Sequence, residues 1–133
     1  MNRRKLREQI FKLLFRIEFN SKEEMQEQCQ FFFEEEENFA DVEDTDYITS
    51  KYQKIMEHLE EINQLINEKA TGWSTNRMGK VDLTIIRLAI FEINYDEEVP
   101  TNVAINEAVE LAKKFGQDES PSFINGILAK FAS

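Results

Sequence analysis

The sequence predicts an all-α fold, a bundle of about seven helices, and three observations lead there. Only two prolines and four glycines punctuate 133 residues, too few breakers for many short strands. Apolar residues recur at helical spacing through most of the chain, and no segment reads as a strand. A content of 41% hydrophobic and 32% charged residues is that of a globular domain, long enough to bury a core without disulfides or a metal.

Residues 3–19 read as an amphipathic helix. Leu6, Ile10, Leu13, Leu14 and Ile17 form one stripe, and Phe11, Phe15 and Phe19 form a second beside it. One stripe can face a core; the other needs more core or a partner. Ser21, with Glu24 three residues on, gives a capping-box pattern ahead of a weaker helix over 22–33. The phenylalanines at 31–33 run into the glutamates at 34–37, which with the residues to Asp44 read as a solvated loop. Residues 46–69 predict the longest helix. In it Ile48, Tyr52, Ile55, Leu59, Ile62 and Ile66 step by fours and threes, a narrow seam suited to a neighbouring helix.

Trp73 opens a connection that runs to Gly79. Residues 81–95 are apolar on nearly every side and too long for an ordinary strand, so they predict the central helix of the fold. Pro100 precedes a helix over about 102–115 with Ala104, Ala108, Leu111, Ala112 and Phe115 on its inner face. Lys113 and Lys114 suit the negative end of its dipole, and Gly116 stands where a helix-ending C′ glycine belongs. Ser120 as N-cap and Pro121 at the first helical position open the last helix, with Phe123, Ile127 and Phe131 stepping by four. Gly126 interrupts that pattern and predicts a close helix–helix contact. Residues 1–70 and 73–133 read as two helical halves of a single domain.

The net charge of −10 argues against nucleic acid, but its distribution argues otherwise. Residues 1–20 carry +4, residues 21–70 carry −11 and residues 71–133 carry −3. A basic tip on an acidic body is an oriented electrostatic arrangement. Arg3, Arg4, Lys5 and Arg7 stand at the start of the first helix, where cations oppose the macrodipole. A bound phosphate would relieve that conflict, and guanidinium groups pair with phosphate and stack on bases. A solvated basic terminus fits the same residues. Phe115 and Phe123 flank the loop at 116–122 and read either as stacking platforms for RNA or as core.

Catalysis has little to work with. His58, the only histidine, falls on the polar side of the long helix and builds neither a triad nor a zinc site. There is no Gly-rich phosphate loop, and Asp96, Glu97 and Glu98 read as solvated surface. Cys29 is alone. The expectation is no enzyme, no metal and no cofactor. No stretch approaches the roughly 20 apolar residues of a membrane helix, and no apolar run follows the basic start, so a cytoplasmic location is expected.

Several segments together resemble the NusB family of transcription antitermination factors. The most specific is VPTNVAINEAVELAKKFG at 99–116, followed by SFINGILAK at 122–130. Val81 and Asp82 with the run at 86–92, and the stretch at 3–8, fit the same family. The likeness spans nearly the whole chain and is loosest over 20–70. It implies a bundle in two small subdomains that binds the boxA element of nascent ribosomal RNA. It also implies a partner, NusE, which is a small-subunit ribosomal protein as well, and work with RNA polymerase and other Nus factors. Position by position, it implies Arg3, Arg4 and Arg7 as RNA-backbone contacts and Phe115, Glu119 and Phe123 as RNA neighbours. Phe15, Phe19 and Asp82 match positions at the NusE surface, which would occupy the second aromatic stripe.

The basic cluster is short and the body acidic, so weak RNA binding that tightens with NusE is expected. The other readings are a protein-interaction module without an RNA role, and a NusB-like domain of an RNA methyltransferase, which the chain length disfavours. A second copy of the chain is a rival occupant of the aromatic stripe; such a homodimer would mask the basic tip.

Overall fold

The computed structural model describes residues 1–132. Among them are seven α-helices and no strand: α1 Arg3–Phe15, α2 Glu24–Glu34, α3 Val42–Glu57, α4 Leu59–Lys69, α5 Lys80–Tyr95, α6 Thr101–Phe115 and α7 Ser120–Ala129. The chain divides into two compact units, one ending at Met56 and one beginning at Glu57. The sequence placed the division at 70–73; the structure groups α4 with the second unit.

In the first unit, α1 starts on Asn2, whose side chain accepts from the Lys5 N–H at 2.8 Å. This satisfies one of the orphan donors of the first turn. The helix ends four residues before the sequence predicts. A 3-10 turn over Arg16–Glu18 follows, and Asn20 donates from its amide to the Arg16 carbonyl at 2.9 Å. Ile10, Phe11, Leu13 and Leu14 are buried, each removal of such a side chain from water being worth about 1.5–3 kcal/mol. The capping box forms as predicted: the Ser21 N–H donates to Glu24 Oε1 at 2.7 Å, and the Glu24 N–H to Ser21 Oγ at 3.2 Å.

The acidic segment is not a solvated loop throughout. Glu35 Oε1 pairs with Arg16 at 2.6 Å, and Glu35 Oε2 accepts from Asn38 at 2.9 Å. Asn38 is buried in a 3-10 turn and takes a 3.4 Å bond from Gln9. Arg16 also donates to Gln28 at 3.1 Å and lies over the Phe32 ring at 5.0 Å, so one guanidinium ties α1 to α2. Sequence reading treats a charge run as a unit; the fold uses its members singly. The following helix begins early, at Val42, where Asp41 accepts from the Asp44 N–H at 2.8 Å.

The long helix predicted over 46–69 is broken at His58, whose φ of −105° and ψ of 6° leave the helical range. The apolar seam survives the break, because Ile48, Tyr52, Ile55, Ile62 and Ile66 are all buried. Its two parts belong to different units. His58 is half-buried instead of on a polar face. Its ring stacks on Tyr95 at 4.0 Å, and Tyr95 donates its hydroxyl to Glu61 at 2.8 Å.

In the second unit α5 is the central helix, packed by α4, α6 and α7. Every residue from Leu83 to Glu92 is buried. Arg87 reaches Asn63 of α4 through a 2.9 Å bond from Nε. Ala104, Ala108 and Ala112 give α6 a small-residue inner face. Gly126 departs from expectation: it is exposed, with open space where a Cβ would stand, and makes no close helix contact.

Candidate functional site

The basic tip is the first turn of α1. Arg3 and Arg4 are exposed and Arg7 is half-buried, and no acidic residue occupies that turn. Spacing of three and four residues gathers the three guanidiniums on adjoining positions of one helix end. The Met1 amine adds a charge there and donates to Asp44 at 2.9 Å. That hydrogen bond first, and the Asp44 charge second, hold the amine above its usual range. Side-chain cations and the positive end of the helix dipole thus coincide at a place built to attract an anion.

The second aromatic stripe becomes steadily more exposed along the chain. Phe11 is buried, Phe15 half-buried and Phe19 60% exposed. Phe15 meets Phe11 at 6.1 Å and Phe19 edge-on at 5.2 Å. The stripe leads from the core of the first unit out to solvent.

The second unit holds a cleft of about 510 Å³ at the α6–α7 turn. The turn depends on Gly116. Its backbone is extended, with φ −93° and ψ −170°, so it is not the left-handed C′ glycine the sequence suggests. A Cβ there would stand 2.6 Å from the Ser120 Cβ and 2.8 Å from the Ala112 carbonyl oxygen, closer than atoms pack. Ser120 is buried, and its hydroxyl accepts from the Gln117 N–H at 2.9 Å. It therefore closes the loop behind it, whereas the sequence reading made it the cap of α7. The result presents Phe115 at the end of α6 and Phe123 in the first turns of α7.

Phe115, Glu119 and Phe123 all line this cleft, and so does Asp82 of α5. The fold brings Asp82 to the residues expected at RNA; Phe15 and Phe19 stand in the first unit. The cleft has further members that sequence reading passed over: Trp73, Met78 and Lys80. Trp73 meets Phe123 edge-on at 5.1 Å. Its segment is fixed by Gly72 at φ +83°, a conformation that favours glycine, and by Arg77, which donates to the Gly72 carbonyl at 3.3 Å. Arg77 lies 5.9 Å from the Trp73 ring, and Lys114 lies 5.5 Å from the Phe115 ring. Trp73 was readable as an isolated aromatic between Gly72 and a polar stretch, though not as a neighbour of Phe123.

Among the described residues no group of three or more His, Cys, Asp or Glu could hold a metal ion, and no helix is long and apolar enough to cross a membrane. Burial pushes the Cys29 thiol up, against a smaller opposing effect of its bond to Tyr52, so the thiol stays protonated. The two regions are a basic helix start and an aromatic cleft with cations beside its rings.

Known proteins share this sequence pattern and fold. The NusB family signature matches residues 4–133. The transcription antitermination protein NusB of Agathobacter rectalis is 56% identical over 99% of this chain and all of its own length. A structure of T. maritima NusB superposes with a TM-score of 0.86 at 33% identity, covering 99% of this chain and 91% of that one. A crystal structure of antitermination factors NusB and NusE in complex with double-stranded RNA shares the fold, with a TM-score of 0.78 at 23% identity over 98% of this chain and 95% of that one. The chain belongs to the NusB family.

Proposed function

We propose that this chain is a non-enzymatic, RNA-binding transcription antitermination factor. With NusE it binds the boxA element of nascent ribosomal RNA in the cytoplasm and helps RNA polymerase resist termination. The observation that carries the reading is the start of α1, where Arg3, Arg4 and Arg7 add to the helix dipole in a chain of net charge −10. Concentrating cations at one helix end of an acidic protein favours a polyanion there and repels it elsewhere. The aromatic cleft supports the same reading, because single-stranded RNA is held by cations for its phosphates and π-faces for its bases. The full-length likeness to a relative named for antitermination supports the process, and the fold shared with a chain crystallised with NusE and RNA makes that pair the one to test.

The experiment is binding of this protein, alone and with NusE, to boxA and to scrambled RNA. The expected result is weak binding alone and tighter, boxA-selective binding with NusE. Capture of NusE with no RNA binding in either setting would instead establish the protein-interaction module. The exposed Phe19, Phe39 and Val42 favour that second reading.

A further inference from the structure

We infer that the outward face of residues 39–47, which leads from the turn after α2 into α3, docks a cationic protein segment carrying apolar side chains. Phe39 is 75% exposed and Val42 78%, and Tyr47 is exposed as well. Exposed apolar side chains scattered singly are ordinary, but these are gathered in nine residues. Val42, Glu43, Asp46 and Tyr47 occupy adjoining positions on one face of α3, so apolar and acidic groups alternate there. The segment is held in place. Asn38 takes the buried position in the turn, with bonds to Gln9 and Glu35, and Phe39 after it is left outside. Asp41 accepts from the Asp44 N–H and starts α3 at Val42. Glu35 at Arg16, Asn38 at Gln9 and Asp44 at the Met1 amine run the segment back along α1 towards its start. Phe15 ends α1 and Phe19 lies beyond it, so this face is separate from the stripe expected at NusE.

Charge selects the occupant. Residues 34–46 hold eight acids and no Lys or Arg. Glu35 is spent on Arg16 and Asp44 on the Met1 amine, while Glu36, Glu37, Glu43 and Asp46 are exposed. Such a face repels RNA and an anionic membrane, and a second copy presenting the same face would bring like charge against it. A segment rich in Lys and Arg meets the carboxylates, and its apolar side chains cover Phe39 and Val42. Burial of those two side chains supplies affinity, and the acids around them supply steering and selectivity. Lys51, 5.9 Å from the Tyr47 ring, marks where the acidic face ends. Because the turn and the start of α3 are already ordered by their own hydrogen bonds, little backbone freedom is lost on docking.

The probe is a helical peptide of about 15 Lys and Leu residues with its leucines on one face, compared with the same peptide carrying Ser for Leu. Each is titrated calorimetrically into the full chain near about 0.1 M salt, and sedimentation of the chain alone is run alongside. The expected result is saturable one-to-one binding of the Lys and Leu peptide, weaker binding of the control, and a monomer without peptide. Phe39→Ser with Val42→Ser should lower affinity about tenfold or more. Glu43→Gln with Asp46→Asn should also lower it, whereas Glu97→Gln with Glu98→Gln, the same change in net charge made in the second unit, should not. All six side chains are exposed, so circular dichroism should show the wild-type helix content in each variant. Unchanged affinity in the Phe39 and Val42 variant, or no binding at all, would overturn the inference. Equal losses from the two charge pairs would overturn it in favour of attraction by net charge alone. Self-association that the Phe39 and Val42 variant abolishes would overturn it in favour of a second copy. The RNA-binding reading is tested without the peptide and stands or falls separately.

Discussion

The tip of α1 and the cleft at the α6–α7 turn use different physics. The tip is charge on an exposed helix end, capped by Asn2 and tied at the Met1 amine to Asp44. The cleft is shape: a turn that only glycine fits, a buried serine closing it, and rings set against one another. Charge attracts any phosphate chain and weakens with salt, whereas a stacking cleft discriminates by what fits and responds little to salt. An RNA-binding protein with both can separate affinity from selectivity.

The comparison can be broken region by region. The largest effect is expected from replacing Arg3, Arg4 and Arg7 together by Ala. Loss of three phosphate contacts should weaken RNA binding about a hundredfold near about 0.1 M salt and little near 1 M. Fluorescence anisotropy at several salt concentrations measures it. Gly116→Ala should destabilise the protein by about 1–3 kcal/mol, because the new methyl meets the Ala112 carbonyl as well as Ser120. Urea unfolding gives that number, and the salt slope should stay at the wild-type value.

Asn2→Ala should cost about 1 kcal/mol through loss of the α1 cap, visible as fraying of the first turn in amide exchange. Gly126→Ala should act in the opposite sense to Gly116→Ala, raising stability by about 0.5–1 kcal/mol, since that glycine sits in a helix with open space around it. Thermal unfolding of the two alanine variants side by side is the check.

The smallest effect concerns Glu24. Hydrogen bonds from the Ser21 backbone and then its side chain hold this carboxyl below its usual range. A depressed folded value means the stabilisation is present above the unfolded value and lost as pH falls through the folded one. The gap in unfolding midpoint between wild type and Glu24→Gln should therefore close on acidification through the carboxylate range. A gap constant with pH would remove the reciprocal cap.

Much of the fold was legible because periodicity and capping are local. The capping box at Ser21 and Glu24, the buried face of α5 and the alanine face of α6 all stand as the sequence predicts. What escaped depended on contacts distant in sequence. The break at His58 follows an unbroken apolar seam, and it makes sense only once Tyr95 is known to stack on the ring. The two glycines were exchanged in role for a different, local reason, a turn geometry that periodicity does not encode: Gly116 is required by Ser120 and Ala112, while Gly126 meets nothing. The candidate site divides likewise. Arginines clustered in sequence read directly as a charged tip, but Trp73 and Phe123 come together only in the fold.

The most direct test sets the two regions against each other in one titration. Salt dependence of boxA RNA binding, with NusE present, is measured for wild type, for Phe123→Leu and for the Arg3, Arg4 and Arg7 triple alanine variant. The expected result is a slope reduced by about 2 in the triple variant only, with Phe123→Leu weakening binding by a similar factor at every salt concentration. Equal slopes in all three proteins would contradict a tip that acts through phosphate charge.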